Sequence, residues 1–158
     1  MKKILIIVIA VVVLIGIGVL IAKLRGSKTP KIREEITDQG FNIASGKDQI
    51  SGQYIDPGSV DFGVAVYLNA TPAEESQSAA NYDFNGLKIT SAAYKTPDNR
   101  KTVENFYLNQ FGSDVQTGEF IQGDTTYKII KSKAGTGPIV NVWTDAGTTY
   151  FAIIKSAS

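Results

Sequence analysis

Nineteen consecutive residues, Ile4 to Ala22 (ILIIVIAVVVLIGIGVLIA), carry no charge and no strongly polar side chain. A run of this kind has no polar face to offer water, so it limits the fold more than any other feature. As a helix rising about 1.5 Å per residue, it reaches roughly the thickness of a bilayer's hydrocarbon core. Lys2 and Lys3 precede it, and Lys23 and Arg25 follow it. A cleavable signal peptide is the competing reading. The run is longer than the usual core of about 7–15 residues, and IAKLRG offers no A-x-A-like cleavage site. The expectation is an uncleaved anchor inserted in the lipid bilayer through Ile4–Ala22. Gly18 and Ala22 have the small-xxx-small spacing that lets two membrane helices approach closely, a pair that also arises readily by chance.

Two arguments about orientation conflict. The positive-inside rule, counted over the flanks, places the more basic C-terminal side in the cytoplasm. The short N-terminal tail, the Thr/Asn/Ser/Gly-rich β domain and the insertion order of a signal anchor place it outside. The expected arrangement is a single-pass protein with its domain outside the cytoplasm.

A formal net charge of +1 conceals an asymmetry. Residues 1–35 carry a net +5 and residues 36–158 a net −4. An acidic globular part argues against nucleic acid as a partner, because phosphate contacts need clustered cations. Lys23, Arg25 and Lys28 can instead lie against anionic headgroups, or serve only as a solvated flank. The chain has neither cysteine nor histidine. That excludes thiol nucleophiles, His-based triads and ordinary zinc sites, and it leaves the redox compartment undecided.

The organisation that follows is 1–22 as anchor, 23–37 as basic linker and 38–158 as one α+β domain. Gly26 and Pro30 interrupt the linker, and KIREEI suggests a turn of helix. Gly40–Gly58 is turn-rich, with irregular structure or short edge pairings expected. Asp61–Leu68 (DFGVAVYL) alternates Phe62, Val64, Val66 and Leu68 on one face and predicts a strand. Asn69–Asn81 is too poor in large apolar residues for a core and reads as a surface loop or short helix. Leu87–Tyr94 predicts a second strand, with Leu87 and Ile89 on one face and Lys88 and Thr90 on the other.

TPDNRKTVENFYLNQFG (Thr96–Gly112) reads as a complete helix. Thr96 is placed to cap it, Pro97 suits the first helical position and Asp98 meets the positive end of the dipole. Val103, Phe106, Tyr107, Gln110 and Phe111 make one stripe, and Gly112 ends it. Period-two segments then follow at Glu119–Ile121, Thr125–Lys131, Ile139–Trp143 and Thr148–Lys155. Short glycine turns between them predict antiparallel hairpins. The expected fold is α+β: one helix packed on a mainly antiparallel sheet that ends in a four-strand meander.

Few residues suggest chemistry. GFNIASGKD lacks the spacing of a P-loop and places Asp48 where a phosphate would lie. Asp56, Ser59 and Asp61 offer part of a calcium shell, but Pro57-Gly58 more simply predicts a type II turn. No G-x-S-x-G elbow is present. Asn69-Ala70-Thr71 fits a glycosylation sequon, a common pattern. The strand aromatics Tyr67, Tyr94, Tyr127, Trp143 and Tyr150 could form a carbohydrate or peptide face, with core packing as the alternative. The residues chosen as possible partner contacts are Trp143, Tyr67, Glu74 and Glu75. No catalytic, cofactor-binding or metal-ligating residue is expected.

The Tyr-x-x-Pro-Gly turn in YIDPGS, the Val-x-x-Phe-Tyr helix and the glycine-rich meander together resemble a group of uncharacterised bacterial envelope proteins with a membrane or lipid anchor. The resemblance spans about Gln53 to Ile154 and implies location and fold, without an activity. The leading functional expectation is a membrane-anchored, non-enzymatic extracytoplasmic domain with a structural or binding role. The alternatives are a pilin-like or secretion-apparatus subunit assembling through its apolar N-terminal helix, and a hydrolase using Asp/Glu.

Overall fold

Alternation of apolar and polar residues, with glycine at the reversals, produces most of the secondary structure. The computed structural model describes residues 32–45, 48–74, 77–135 and 137–156. Within them ten strands join one sheet in which every pairing is antiparallel. In chain order these are β1 (Ile32–Ile36), β2 (Gly40–Ser45), β3 (Asp48–Tyr54), β4 (Thr71–Pro72), β5 (Ala79–Phe84) and β6 (Leu87–Thr96). Helix α1 (Arg100–Phe111) follows, and then β7 (Val115–Gln122), β8 (Thr125–Ser132), β9 (Ile139–Asp145) and β10 (Thr148–Ser156). The order across the sheet is β1-β2-β3-β5-β6-β10-β9-β8-β7, with β4 also paired to β6. The chain is therefore α+β, and its last four strands form the expected meander.

Two runs of neighbouring strands meet along one seam. The β6–β10 pairing extends from Thr96 opposite Thr149 to Ile89 opposite Ser156. On its other flank β6 is shared, with β5 against Leu87–Ala92 and β4 against Tyr94 and Lys95. Ala93 bridges the interval: its N–H donates to Ser78 O at 2.6 Å and its carbonyl accepts from Ala73 N at 3.0 Å. The β5–β6 reversal uses Asn85 and Gly86, both at positive φ, as a tight hairpin with the right-handed strand twist requires.

The sheet buries residues on both faces. One face carries Phe62, Ala79, Ala92, Tyr94, Ile130, Val140, Val142, Phe151 and Ile153, closed by Val103 and Tyr107 of α1. The other carries Phe41, Tyr82, Ile89, Ala93, Tyr127, Trp143, Ala152 and Ile154. The helical stripe behaves largely as its spacing predicts. Val103 and Tyr107 are fully covered, and Phe106 and Phe111 are half-buried. Glu104 is also buried, paired with Arg100 at 2.6 Å, and Arg100 Nη1 donates to Thr126 O at 3.0 Å.

Several expectations need correction. Ile32–Ile36, for which a turn of helix is expected, forms β1 by pairing with β2; a helix that short cannot repay its nucleation. Gly40–Gly58, expected to be irregular or to make short edge pairings, supplies two full strands, β2 and β3, beside the β1 edge of the sheet. Its glycines are packing positions as well as turn markers: a Cβ on Gly52 would meet the Phe41 ring at 2.3 Å. Asp61–Leu68 is not a strand. It is a strap on the helix side of the sheet, where Phe62, Val64 and Val66 join the core and Leu68 is 89% exposed. Its backbone is served by side chains, since Gln110 Oε1 accepts from Ala65 N at 2.8 Å and Gln110 Nε2 donates to Ala65 O at 3.1 Å.

Asn69–Asn81, judged too poor in large residues for a core, contributes buried Ala73, Ser78, Ala79 and Ala80. Small side chains are what the crossing near Ala93 has room for. The helix begins at Arg100, capped by Asn99, whose side chain accepts from Lys101 N at 2.8 Å. Thr96 instead ends β6 and accepts from Asp98 N at 3.2 Å. Gly112, at φ 55°, ends the helix as expected, its N–H donating to Leu108 O. Pro57–Ser59 is a 3-10 turn capped by Asp56 rather than a type II turn. Ile4–Ala22, Lys23, Arg25 and Lys28 lie outside the described residues. Among the described residues no helix is long and apolar enough to cross a membrane.

Candidate functional site: a polar face on the sheet

The residues chosen from sequence are not brought together. Trp143 in β9 is 1% exposed, on the sheet face away from α1. It stacks on Tyr150 at 5.7 Å and 14°, and its ring lies 5.4 Å from Tyr127. The packing reading of Trp143 is the one its surroundings match. Tyr67 lies in the strap on the helix side, edge-on to Phe106 at 5.3 Å, and its hydroxyl donates to Asp98 Oδ2 at 2.7 Å. Hydrogen bonds from Tyr67 and Asn69 hold the Asp98 carboxyl below the usual carboxylate range. The same bond raises the Tyr67 hydroxyl. Glu74 belongs to the excursion between β4 and β5, where its N–H donates to Ser78 Oγ at 2.7 Å. Glu75 lies outside the described residues.

The calcium idea fares no better on geometry. Asp56 Oδ1 accepts from Gly58 N at 2.9 Å and Asp61 Oδ1 from Gly63 N at 2.8 Å. Each carboxylate shapes its own turn. Among the described residues no cluster of three or more acids could hold a metal ion.

A different surface emerges from the register. On the helix side, α1 packs over β8 and β9, so the far end of β3, β5 and β6 is left to solvent. Strand alternation then sends Phe41, Tyr82 and Ile89 into the core on the other face and points their neighbours outward. Ser51, Asp83 and Lys88 stand in one row across the three strands, and Gln53, Asn81 and Thr90 in the next. These six residues line a shallow depression of about 560 Å³.

The rows are held in place. Thr90 Oγ1 donates to Asn81 Oδ1 at 2.7 Å, which turns the Asn81 amide nitrogen away from Thr90. Asp83 Oδ1 accepts from Gly86 N at 2.7 Å in the adjoining hairpin. Lys155, opposite Thr90 on β10, donates to Asp61 O at 3.1 Å and ties the strap to the edge of the surface. Gln53 also borders a second depression of about 570 Å³, lined by Asp38, Gln39, Tyr54 and Asp56.

The arrangement offers hydroxyl and amide donors and acceptors on a flat, pleated surface, with Asp83 and Lys88 at one end. Its chemistry is hydrogen-bonding recognition. Sequence reasoning had separated Lys88 and Thr90 from Leu87 and Ile89, and the structure agrees. It did not connect them with Ser51, Gln53, Asn81 and Asp83. The available signal was three period-two polar pairs (Ser51/Gln53, Asn81/Asp83, Lys88/Thr90), which become one surface only when the register is known. Compared with protein-family models, curated proteins and solved structures, the chain matches none.

Proposed function

We propose that the protein is a non-catalytic binding domain, tethered to the cell membrane through Ile4–Ala22 and displayed outside the cytoplasm. In this reading Lys23, Arg25 and Lys28 lie against anionic headgroups. The polar rows of β3, β5 and β6 engage an extended, hydroxyl-rich and largely uncharged polymer of the cell surface. One observation carries the binding role: Gln53, Asn81 and Thr90 stand in register on a flat, uncovered sheet face, with Thr90 bonded to Asn81. Neutral hydrogen-bonding groups in such a row favour amide- or hydroxyl-bearing ligands over strongly charged ones. Unpaired buried polar groups would penalise an apolar ligand seated there.

The test uses the full chain in lipid nanodiscs and isolated cell-wall polysaccharide as the probe. Sedimentation with the polysaccharide is expected, and it should weaken when Asn81→Leu and Thr90→Val are combined. Wild-type protein that stays in the supernatant, or a double variant that sediments as well as wild type, removes this reading of the face. A reporter enzyme fused to Ser158 tests the orientation separately.

A further inference from the structure

Strand β7 ends the sheet, and among the described residues nothing pairs with its outer edge. Natural sheet edges are normally blunted by proline, by lysine or by a covering element. Residues Val115–Gln122 (VQTGEFIQ) contain no proline and no lysine, and Glu119 is their one charge. Ile121 is 74% exposed. The strand runs eight residues without such protection.

The hairpin to β8 decides which backbone groups face outward. Its two-residue turn has Gly123 at φ 58° in the first central position, a reversal that closes on a hydrogen-bonded pair. Gln122, which faces Thr125, is that pair's member. Bonded and non-bonded positions alternate along an antiparallel ladder. Gln122, Phe120, Gly118 and Gln116 therefore direct their backbone groups to β8. Ile121, Glu119, Thr117 and Val115 direct theirs to the open edge.

We infer that this edge pairs with β7 of a second copy of the chain, antiparallel and centred on Gly118. Side chains select that register. On the helix side, Val115 stands opposite Ile121 of the second copy and Thr117 opposite Glu119, in each half of the two-fold pair. On the other side Gln116 meets Phe120, and the two Gly118 residues face each other. The exposed Ile121 gains an apolar neighbour twice, and no like charges meet. Centring on Glu119 would oppose two carboxylates. Centring on Thr117 would leave Ile121 beyond the paired segment. The arrangement is isologous and closes after two copies, extending the sheet across both.

The absence of native cysteine gives a clean test on the full chain in nanodiscs. In this register the two Gly118 residues form a non-hydrogen-bonded pair, about 4.5 Å apart at Cα, within disulfide range. A Cβ at Gly118 meets nothing within 4 Å, and its φ is not left-handed, so Gly118→Cys leaves the monomer unstrained. Gly118→Cys is expected to cross-link under mild oxidation, and Gln122→Cys, exposed but far from its symmetry mate, is not. Adding Thr117→Pro removes an outward N–H that β8 does not use, and should abolish the cross-link while circular dichroism stays unchanged. Contact between membrane segments alone would leave Gly118→Cys uncross-linked, which overturns the inference. So would equal cross-linking of both cysteines, a cross-link that survives Thr117→Pro, or a wild-type mass of one copy by light scattering.

Discussion

Beneath α1 the sheet is closed by a second layer. Tyr107 is fully covered, its ring lies 5.1 Å from Phe106 and 5.4 Å from Phe151, and its hydroxyl accepts from Tyr67 N at 3.3 Å. On the opposite face a row of aromatics crosses four strands. Phe120 stacks on Tyr127 at 4.6 Å, followed by Trp143 and Tyr150. Trp143 Nε1, Asn141 Oδ1 and Tyr54 Oη are buried there without a hydrogen-bond partner among the described residues. The helix side brings loop backbone to the buried Tyr107 hydroxyl, and only Asn42 Oδ1, on that side of β2, is left without a partner among the described residues. The aromatic side achieves burial mainly by cross-strand contact and leaves polar atoms unmatched. Covering apolar area and satisfying polar groups are separate achievements, and the unmatched buried atoms gather mainly on the aromatic face.

Truncation tests that contrast most strongly. Tyr107→Ala and Trp143→Ala each empty a covered aromatic site and should cost about 3–5 kcal/mol. Tyr107→Ala should be the costlier, because it also leaves Tyr67 N–H without its acceptor. Urea unfolding of the full chain in nanodiscs measures both, and equal losses would erase the distinction.

Alkaline titration follows. Burial pushes Tyr82, on the aromatic side, up to about 12, and raises Tyr107, on the helix side, further still. An unfolded tyrosine ionises near pH 10, so the folded state retains protons that the unfolded state has lost. Stability present below pH 10 should therefore fall as pH rises from about 10 towards 12. Tyrosinate absorbance should rise together with loss of structure by circular dichroism, and Tyr82→Phe should flatten the decline. Complete tyrosine ionisation near pH 10 in an intact fold would contradict the burial of both faces.

A smaller effect separates two glycines. Gly52→Ala drives a methyl into the Phe41 ring and should cost about 1–3 kcal/mol. Gly118→Ala, in open space, should change stability little; thermal melting compares them. The finest test removes single hydroxyls. Tyr107→Phe should lose about 0.5–1.5 kcal/mol, whereas Tyr54→Phe discards an unmatched buried hydroxyl and should be neutral or stabilising. If both lose equally, Tyr54 Oη has a partner in solution.

How much of this could be read from residues follows a physical divide. Signals held within about a dozen residues were legible: the Val103–Tyr107 stripe, the Gly112 stop and the hairpins of the meander. Features that depend on distant pairing were not. The alternation of Phe62, Val64 and Val66 is the same whether the residues join a ladder or lie across a helix, and only Gln110 and Tyr107 determine the outcome. Gly52 looks like a turn until Phe41 is placed over it. The polar rows need the register of three strands, whose spacing along the chain is set by loops without periodicity. Trp143 could be seen as either contact or core because its neighbours Tyr127 and Tyr150 come from different strands.

The β6–β10 seam also constrains how this chain reaches its native state. Its partners are among the most distant in sequence, whereas β7–β10 and most of β1–β6 pair with near neighbours. Local hairpins form quickly, and distant pairings carry the slow loop-closure cost. Until the seam closes, β6 and β10 both present bare edges, joined through a linker that contains α1. A second chain can complete either edge as well as the first can. Crowded folding thus favours reciprocal exchange of C-terminal meanders between chains, a domain swap with α1 at the crossover. Dilution during refolding is the condition that restores self-closure.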